Sequence, residues 1–328
     1  MRPNVLARLL RQRLQRVALS VLVAIALVAA LADFIASDLP IALHYHDTSY
    51  WFPNLTHPAA LRPFDNQMLA TMLGPDDWAV FPLVPWGYNV HDLDAVLAAP
   101  SGSHWLGTDS GGRDVLARVV HGARVSLSVG VLSVLLLTCI GVVIGATSGY
   151  AGGLTDLVLM RLVEVVHSLP TILLLVTMLA IYRPHGFSAV LAMMTVIGSV
   201  RWTDLARLVR AEVLRERAMP YVEAARALGL RPLDVVLRHV LPNALTPVLV
   251  AASFSMAAAI VIEGALSFLG FGIPDDMASW GSMLSDVRDH IDAWWLALFP
   301  GAAMFLTVMG YNLVGEGLRD AIDPRLEM

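Results

Sequence analysis

The sequence has 328 residues, 57% of them hydrophobic and 15% charged, with a mean hydropathy of +0.66. This excludes an ordinary soluble domain, and several apolar runs reach the roughly 20 residues that a helix needs to cross a ~30 Å hydrocarbon core. The net charge is -5, and all 22 basic side chains are arginine; without a lysine, this sequence cannot hold a standard Gly-x-x-x-x-Gly-Lys-Ser/Thr nucleotide loop.

The first predicted span runs from Val17 to Ile35, behind Arg2, Arg8, Arg11, Arg13 and Arg16. Its length, and the absence of an Ala-x-Ala pattern after it, read as an uncleaved anchor in preference to a signal peptide. A proline-rich acidic stretch follows, with Asp38, Asp47, Asp65, Asp76, Asp77, Asp92, Asp94 and Asp109 against Arg62. Arginines before the span and aspartates after it place the N-terminus in the cytoplasm and residues 36 to 118 outside, as an external loop. Within it, Trp51, Phe52, Trp78 and Trp86 read as interfacial or packing aromatics ahead of a substrate box. His44, His46 and His57 supply no closed ligand set, so no metal site is expected, although imidazole suits nickel.

Further spans are predicted at 125 to 147, 156 to 181, 187 to 210, 243 to 271 and 293 to 317. The chain is therefore expected to be an all-α integral membrane protein with six transmembrane helices, five of them in a core from 119 to 317. Cys139, the single cysteine, lies in one of these runs and reads as a small core residue. The fourth span is the least apolar, because Arg201 and Asp204 interrupt the run that begins at Phe187. The turn 149 to 153 is expected inside and 182 to 186 outside. Arg207, Arg210, Arg215, Arg217, Arg226, Arg231 and Arg238 place residues 211 to 242 in the cytoplasm, and Asp275, Asp276, Asp286, Asp289 and Asp292 place the last loop outside. The tail from 318 to 328 returns to the cytoplasm.

Residues 221 to 242 form a polar interruption in this apolar chain. Pro220 starts a short helix, Gly229 stops it and Pro232 starts another. Tyr221, Ala224, Ala225 and Leu228 share one face by the i, i+3, i+4, i+7 rule, leaving Glu223 and Arg226 on others. A small-residue face beside a carboxylate suits docking into a groove of another protein. Ionisable residues inside the spans are also candidates for function. Arg161 and Glu164, and Arg201 and Asp204, can each pair on one helix face, either structurally or on a translocation path. Glu263 has no obvious local partner and would face that path or another subunit.

Glu223-Ala224-Ala225, Gly229 six residues on, and Leu241-Pro242 twelve after that resemble the coupling loop of ABC importer permeases. His239 stands where the family pattern has isoleucine. His104-Trp-Leu-Gly-Thr-Asp109, Gly112-Arg-Asp-Val-Leu116, His121-Gly-Ala-Arg124, Ser267-Phe-Leu-Gly-Phe-Gly272, Ser279-Trp-Gly281 and the stretch from Asn312 to Arg325 resemble the C-type subunits of the dipeptide, oligopeptide and nickel branch. Tyr45 to Pro53 looks like the longer external loop of the oligopeptide and microcin C branch.

The resemblance implies a type I importer permease fold in a bacterial inner membrane, in contact with lipid. It implies a non-catalytic transport subunit translocating oligopeptides or dipeptides, with a nickel importer as the alternative and an ion-coupled secondary transporter as the more distant one. Implied partners are a second homologous permease, two ATP-binding subunits that hold ATP and Mg, and a periplasmic solute-binding protein; no nucleic acid is implied. Glu223, Ala224, Ala225, Gly229, Leu241 and Pro242 would then be the ATPase-coupling residues, with no catalytic or metal residue and no cofactor in this chain.

Overall fold

The computed structural model describes residues 12 to 182 and 187 to 322. Arg2, Arg8 and Arg11, most of the turn expected outside between the third and fourth spans, and the end of the expected cytoplasmic tail lie outside the described residues.

In chain order the elements are α1 (Arg13–Ala30), α2 (Ala32–Ile35), β1 (Ala42–Tyr45), β2 (Thr48–Trp51), α3 (Pro53–Thr56), α4 (Asn66–Met72), β3 (Trp78–Val80), α5 (Val115–Ala151) and α6 (Gly153–His167). They continue with α7 (Thr171–Ile181), α8 (Phe187–Arg217), α9 (Pro220–Ala227), α10 (Pro232–Val235), α11 (Leu241–Phe268), α12 (Trp280–Ser285) and α13 (Trp294–Ile322). Among the described residues five helices are long and apolar enough to cross a bilayer, and α6 with α7 supplies a sixth if that bent pair is one span. The third predicted span, 156 to 181, corresponds to this bent pair, whose halves meet at 81°. Pro170 explains the break, since it has no N–H to donate and pushes Leu169 out of the helical region.

The chain divides into two compact units, one of residues Met1–Val21, Val129–Ile262 and Val308–Met328, the other of Leu22–Ser128 and Glu263–Thr307. In the first unit, α8 is the least apolar span, and 72% of its most apolar stretch is buried, against 33% or less in the other four. Protein rather than lipid covers it, which removes the need for an apolar surface. α5 approaches it most closely at three glycines, Gly141, Gly145 and Gly149, which recur at four-residue spacing. A Cβ on Gly145 would lie 2.5 Å from the Ala206 carbonyl oxygen, and one on Gly149 2.9 Å from that of Arg210. Only hydrogen at these positions lets the two backbones approach so closely.

In the second unit a three-stranded antiparallel sheet, ordered β2-β1-β3, lies within the expected external loop, for which no elements were assigned from the sequence. Alternation sorts its faces. Leu43, Tyr45, Tyr50 and Ala79 pack with Leu39, Leu61, Leu69, Phe64 and Leu73. On the other face Trp51 and Trp78 meet edge to face at 6.3 Å and stay 65% and 43% exposed. The segment from His104 to Arg118 is a buried polar knot. Asp109 accepts from Arg113 Nε at 2.7 Å and from the Gly111 and Arg113 amides, while Asp114 receives His104 Nδ1 at 2.9 Å. Gly112, at φ 74°, lies against the Asp92 carbonyl, where any Cβ would overlap it.

Candidate functional site

Helix α9 is built as its punctuation implies. Met219 is extended, and Pro220 occupies the first turn, where no donor is lost. At the far end the Gly229 amide donates to the Arg226 carbonyl and the Leu230 amide to that of Ala225. This paired closure requires a left-handed residue at Gly229, whose φ is 79°. Arg231 is extended ahead of Pro232, and α10 begins there.

The second short helix does not end at Pro242. A π-helical turn over Val236–Val240 carries it directly into α11, with the Leu241 amide bonding the Val236 carbonyl. Pro242 would remove the amide that bonds the Arg238 carbonyl and press its ring on that group; the wider turn lies where the conflict arises. Leu241 and Pro242 are therefore the first residues of a membrane helix, and the loop expected over 211 to 242 is mostly helical.

Of the face read from the sequence as suited to docking, Tyr221, Ala224 and Leu228 are exposed and Ala225 is not. Val222 and Ala225 are buried, 0% and 5% exposed, while Glu223, Ala224 and Leu228 are exposed. Ala225, expected beside Ala224 on an outward face, packs inward with Val222 because the two lie one turn apart. Leu228, Leu233 and Leu237 extend the outward surface at 83%, 68% and 55% exposure.

Two side chains fix α9 to its surroundings. The Tyr221 hydroxyl donates to Glu216 Oε2 at 2.5 Å near the end of α8 and accepts from Asn243 Nδ2 at 3.1 Å in the first turn of α11. Burial, and then the hydrogen bond to the Glu216 carboxylate, push this phenol above its ordinary range. On another side of α9 the Arg226 guanidinium lies over the Tyr150 ring, 5.2 Å from its centroid, in the last turn of α5. The junction of α5 and α6 is held in place from both helices: Arg217 Nη1 donates to the Tyr150 carbonyl at 2.9 Å, and Arg210 Nη2 to Asp156 in the first turn of α6 at 2.6 Å. Ser148 also donates to Asp156. Tyr221 could not be recognised as a junction from sequence, because helical periodicity reads its ring and not its hydroxyl.

The charges read as intramembrane candidates fall into three cases. Arg161 and Glu164 pair at 2.7 Å on an exposed face of α6. Asp204 does not pair with Arg201; Arg207 takes it at 2.8 Å, with His167 Nδ1 at 3.7 Å. Both arginines lie three residues away, on opposite sides, and the His167 ring stands with the one toward the C-terminus, 3.3 Å from Arg207 Nη2. Glu263 is 0% exposed and well partnered. Its carboxylate accepts from the hydroxyls of Ser267 and Ser279 at 2.9 Å and of Ser126 at 3.3 Å. Each of those hydroxyls in turn accepts a backbone amide, from Ile273, Ser282 and Trp280 respectively. Glu263 therefore faces neither an open path nor an outer surface of this chain. Only Ser267, one turn along, was within reach of sequence spacing.

Residues 141–328 match the family described as binding-protein-dependent transport system inner membrane component. The chain is 40% identical over 242 residues to the oligopeptide transport system permease protein OppC of Bacillus subtilis, covering 74% of this chain and 78% of that one. It is 39% identical over 252 residues to the glutathione transport system permease protein GsiD of Pectobacterium atrosepticum, covering 76% and 82%. Among solved structures, an inward-facing MetNI methionine ABC transporter chain aligns with 63% of this chain and 97% of its own, with a TM-score of 0.50 and 21% identity. That likeness is one of fold.

Proposed function

The chain belongs to the family of binding-protein-dependent transport system inner membrane components, and from that premise we propose that it is the permease subunit of an ATP-driven importer of peptides. Helix α9 is its contact with an ATPase subunit. The observation that carries this reading is the division of α9 into a face tied to its own chain and a free face. Val222 and Ala225 are buried, whereas Glu223, Ala224 and Leu228 are exposed. A helix that passes a push between subunits needs both faces. The free carboxylate of Glu223 can pair with a basic group, and Gly229 lets the chain turn away beside the contact.

The arginines of residues 207 to 238 favour the cytoplasmic side of the inner membrane for this helix, those ahead of the first span favour it for the N-terminus, and six spans return the C-terminus to the same side. ATP and Mg are held by two ATP-binding partners. A second homologous permease completes the path, and a solute-binding protein delivers substrate from outside. Peptides are favoured as substrate by the names of the relatives, one an oligopeptide and one a glutathione permease. ATP-driven closure of the partners would displace α9, and the spans would alternate their opening between the two faces.

The test is Glu223→Arg and, separately, Gly229→Glu in the assembled importer. Both should abolish uptake and weaken ATPase co-purification while membrane insertion stays normal. Full transport by both variants, or uptake by this chain alone in ATP-free vesicles under a proton gradient, would overturn the reading.

A further inference from the structure

We propose that Tyr221 and Arg226 are positioning residues that pass displacement of α9 to the membrane helices, Tyr221 to α8 and α11 and Arg226 to the C-terminal end of α5. The proposal rests on α9 being the ATPase contact, and it assigns the route by which motion leaves that contact. A push on a short helix moves its neighbours only through attachments stiff enough not to slip. Val222 and Ala225 seat α9 on an apolar base, but apolar contact is non-directional and lets a helix roll or slide.

Directional attachments come from these two side chains. The Tyr221 hydroxyl uses its donor on Glu216 and accepts from Asn243, so one oxygen joins three helices. The Arg226 guanidinium covers the Tyr150 ring at 5.2 Å. At ~100° per residue the two positions stand roughly 140° apart around α9, so they grip it from different sides and resist rotation.

The receiving side is stiff as well. The end of α5 is bonded to α8 through Arg217 on the Tyr150 and Gly149 carbonyls, and the start of α6 through Arg210 on Asp156. Gly149 sets α5 directly against α8, so close that a Cβ there would lie 2.9 Å from the Arg210 carbonyl oxygen. A displacement delivered to Tyr150 is therefore delivered to α5, α6 and α8 together, and one delivered to Tyr221 reaches α8 and α11. Neither residue needs to touch the ATPase for this.

The experiment uses the complete importer in proteoliposomes, with a tryptic digest of casein as the peptide source. It reads peptide taken up per ATP hydrolysed, together with ATPase co-purification. Tyr221→Phe and Arg226→Leu should each lower the uptake-to-hydrolysis ratio by about fivefold, the scale of one lost polar contact, with co-purification unchanged. Arg226→Lys, which keeps a cation over the ring, should recover much of the ratio. Tyr150→Leu combined with Arg226→Leu should be no worse than either alone, because one contact is removed in all three. A wild-type ratio in both Tyr221→Phe and Arg226→Leu overturns the proposal. So does loss of ATPase co-purification in either, since the residue then acts in docking. Should Arg226→Leu fail to fold, the near-isosteric Tyr221→Phe carries the test. If Glu223→Arg leaves association and uptake intact, the fault lies instead with α9 as the contact.

Discussion

Glu263 shows how a residue can be legible by type and illegible by role. A lone carboxylate in an apolar run marks a costly group, but its partners lie at 126, 267 and 279, and two of these are brought to it only by folding. Each hydroxyl relays the carboxylate to a backbone amide, so the group organises the chain from Ile273 to Ser282. Glu263→Ala leaves three buried hydroxyls without their acceptor and should cost about 3 kcal/mol, with Glu263→Gln milder because its amide oxygen still accepts. Thermal unfolding in detergent checks this, and an unshifted midpoint in Glu263→Ala would remove the organising role. Asp286 allows a second prediction. Burial, and then repulsion from Asp109, push its carboxyl above 3.8 despite Arg118 and Arg113 nearby, with Asp275 adding repulsion. A carboxyl whose folded value is raised contributes stability fully present below pH 3.8 and lost as pH rises through the folded value. The midpoint of the wild type should therefore decline over that window more steeply than that of Asp286→Asn. Parallel curves would show that Asp286 is not the group responsible.

At the scale of elements, local chemistry was the safest guide where a backbone conformation demanded one residue type. Pro220, Gly229 and Pro232 mark the ends of α9 and the start of α10, because φ and donor constraints act within a few residues. What α10 runs into was not legible, since the π turn before Pro242 depends on the whole of α11. The stripe Gly141, Gly145, Gly149 is plain in the sequence, yet its meaning needs α8 alongside. Gly145→Val would drive a side chain into the Ala206 carbonyl and should cost about 3 kcal/mol or prevent folding; a stable, active variant would show that α5 and α8 can separate. The sheet was missed because its strands are only three or four residues long, too short for period-2 alternation to stand out. Its exposed Trp51 and Trp78 offer an aromatic face, and photo-crosslinkers at these positions should capture the solute-binding protein in the assembled importer. Consistent capture of lipid alone would assign the pair to the membrane interface instead.

For the molecule as a whole, hydropathy and the sidedness of arginine and aspartate pointed to a many-span membrane protein, and motifs in order along the chain pointed to its family. Such signals survive without coordinates because the bilayer imposes them on every exposed helix, whatever its neighbours, and because turn geometry constrains residues one at a time. The 81° break between α6 and α7 was readable only as a proline in an apolar run, whereas its angle depends on what the two halves pack against. The cover over α8 could not be read at all, and its weak hydropathy made it look like a poor span when it is a protein-enclosed one. The inward turn of Ala225, the replacement of Arg201 by Arg207 and the junction at Tyr221 share one cause. Each is a choice among several sterically possible partners, and residues distant in sequence make that choice by occupying the space.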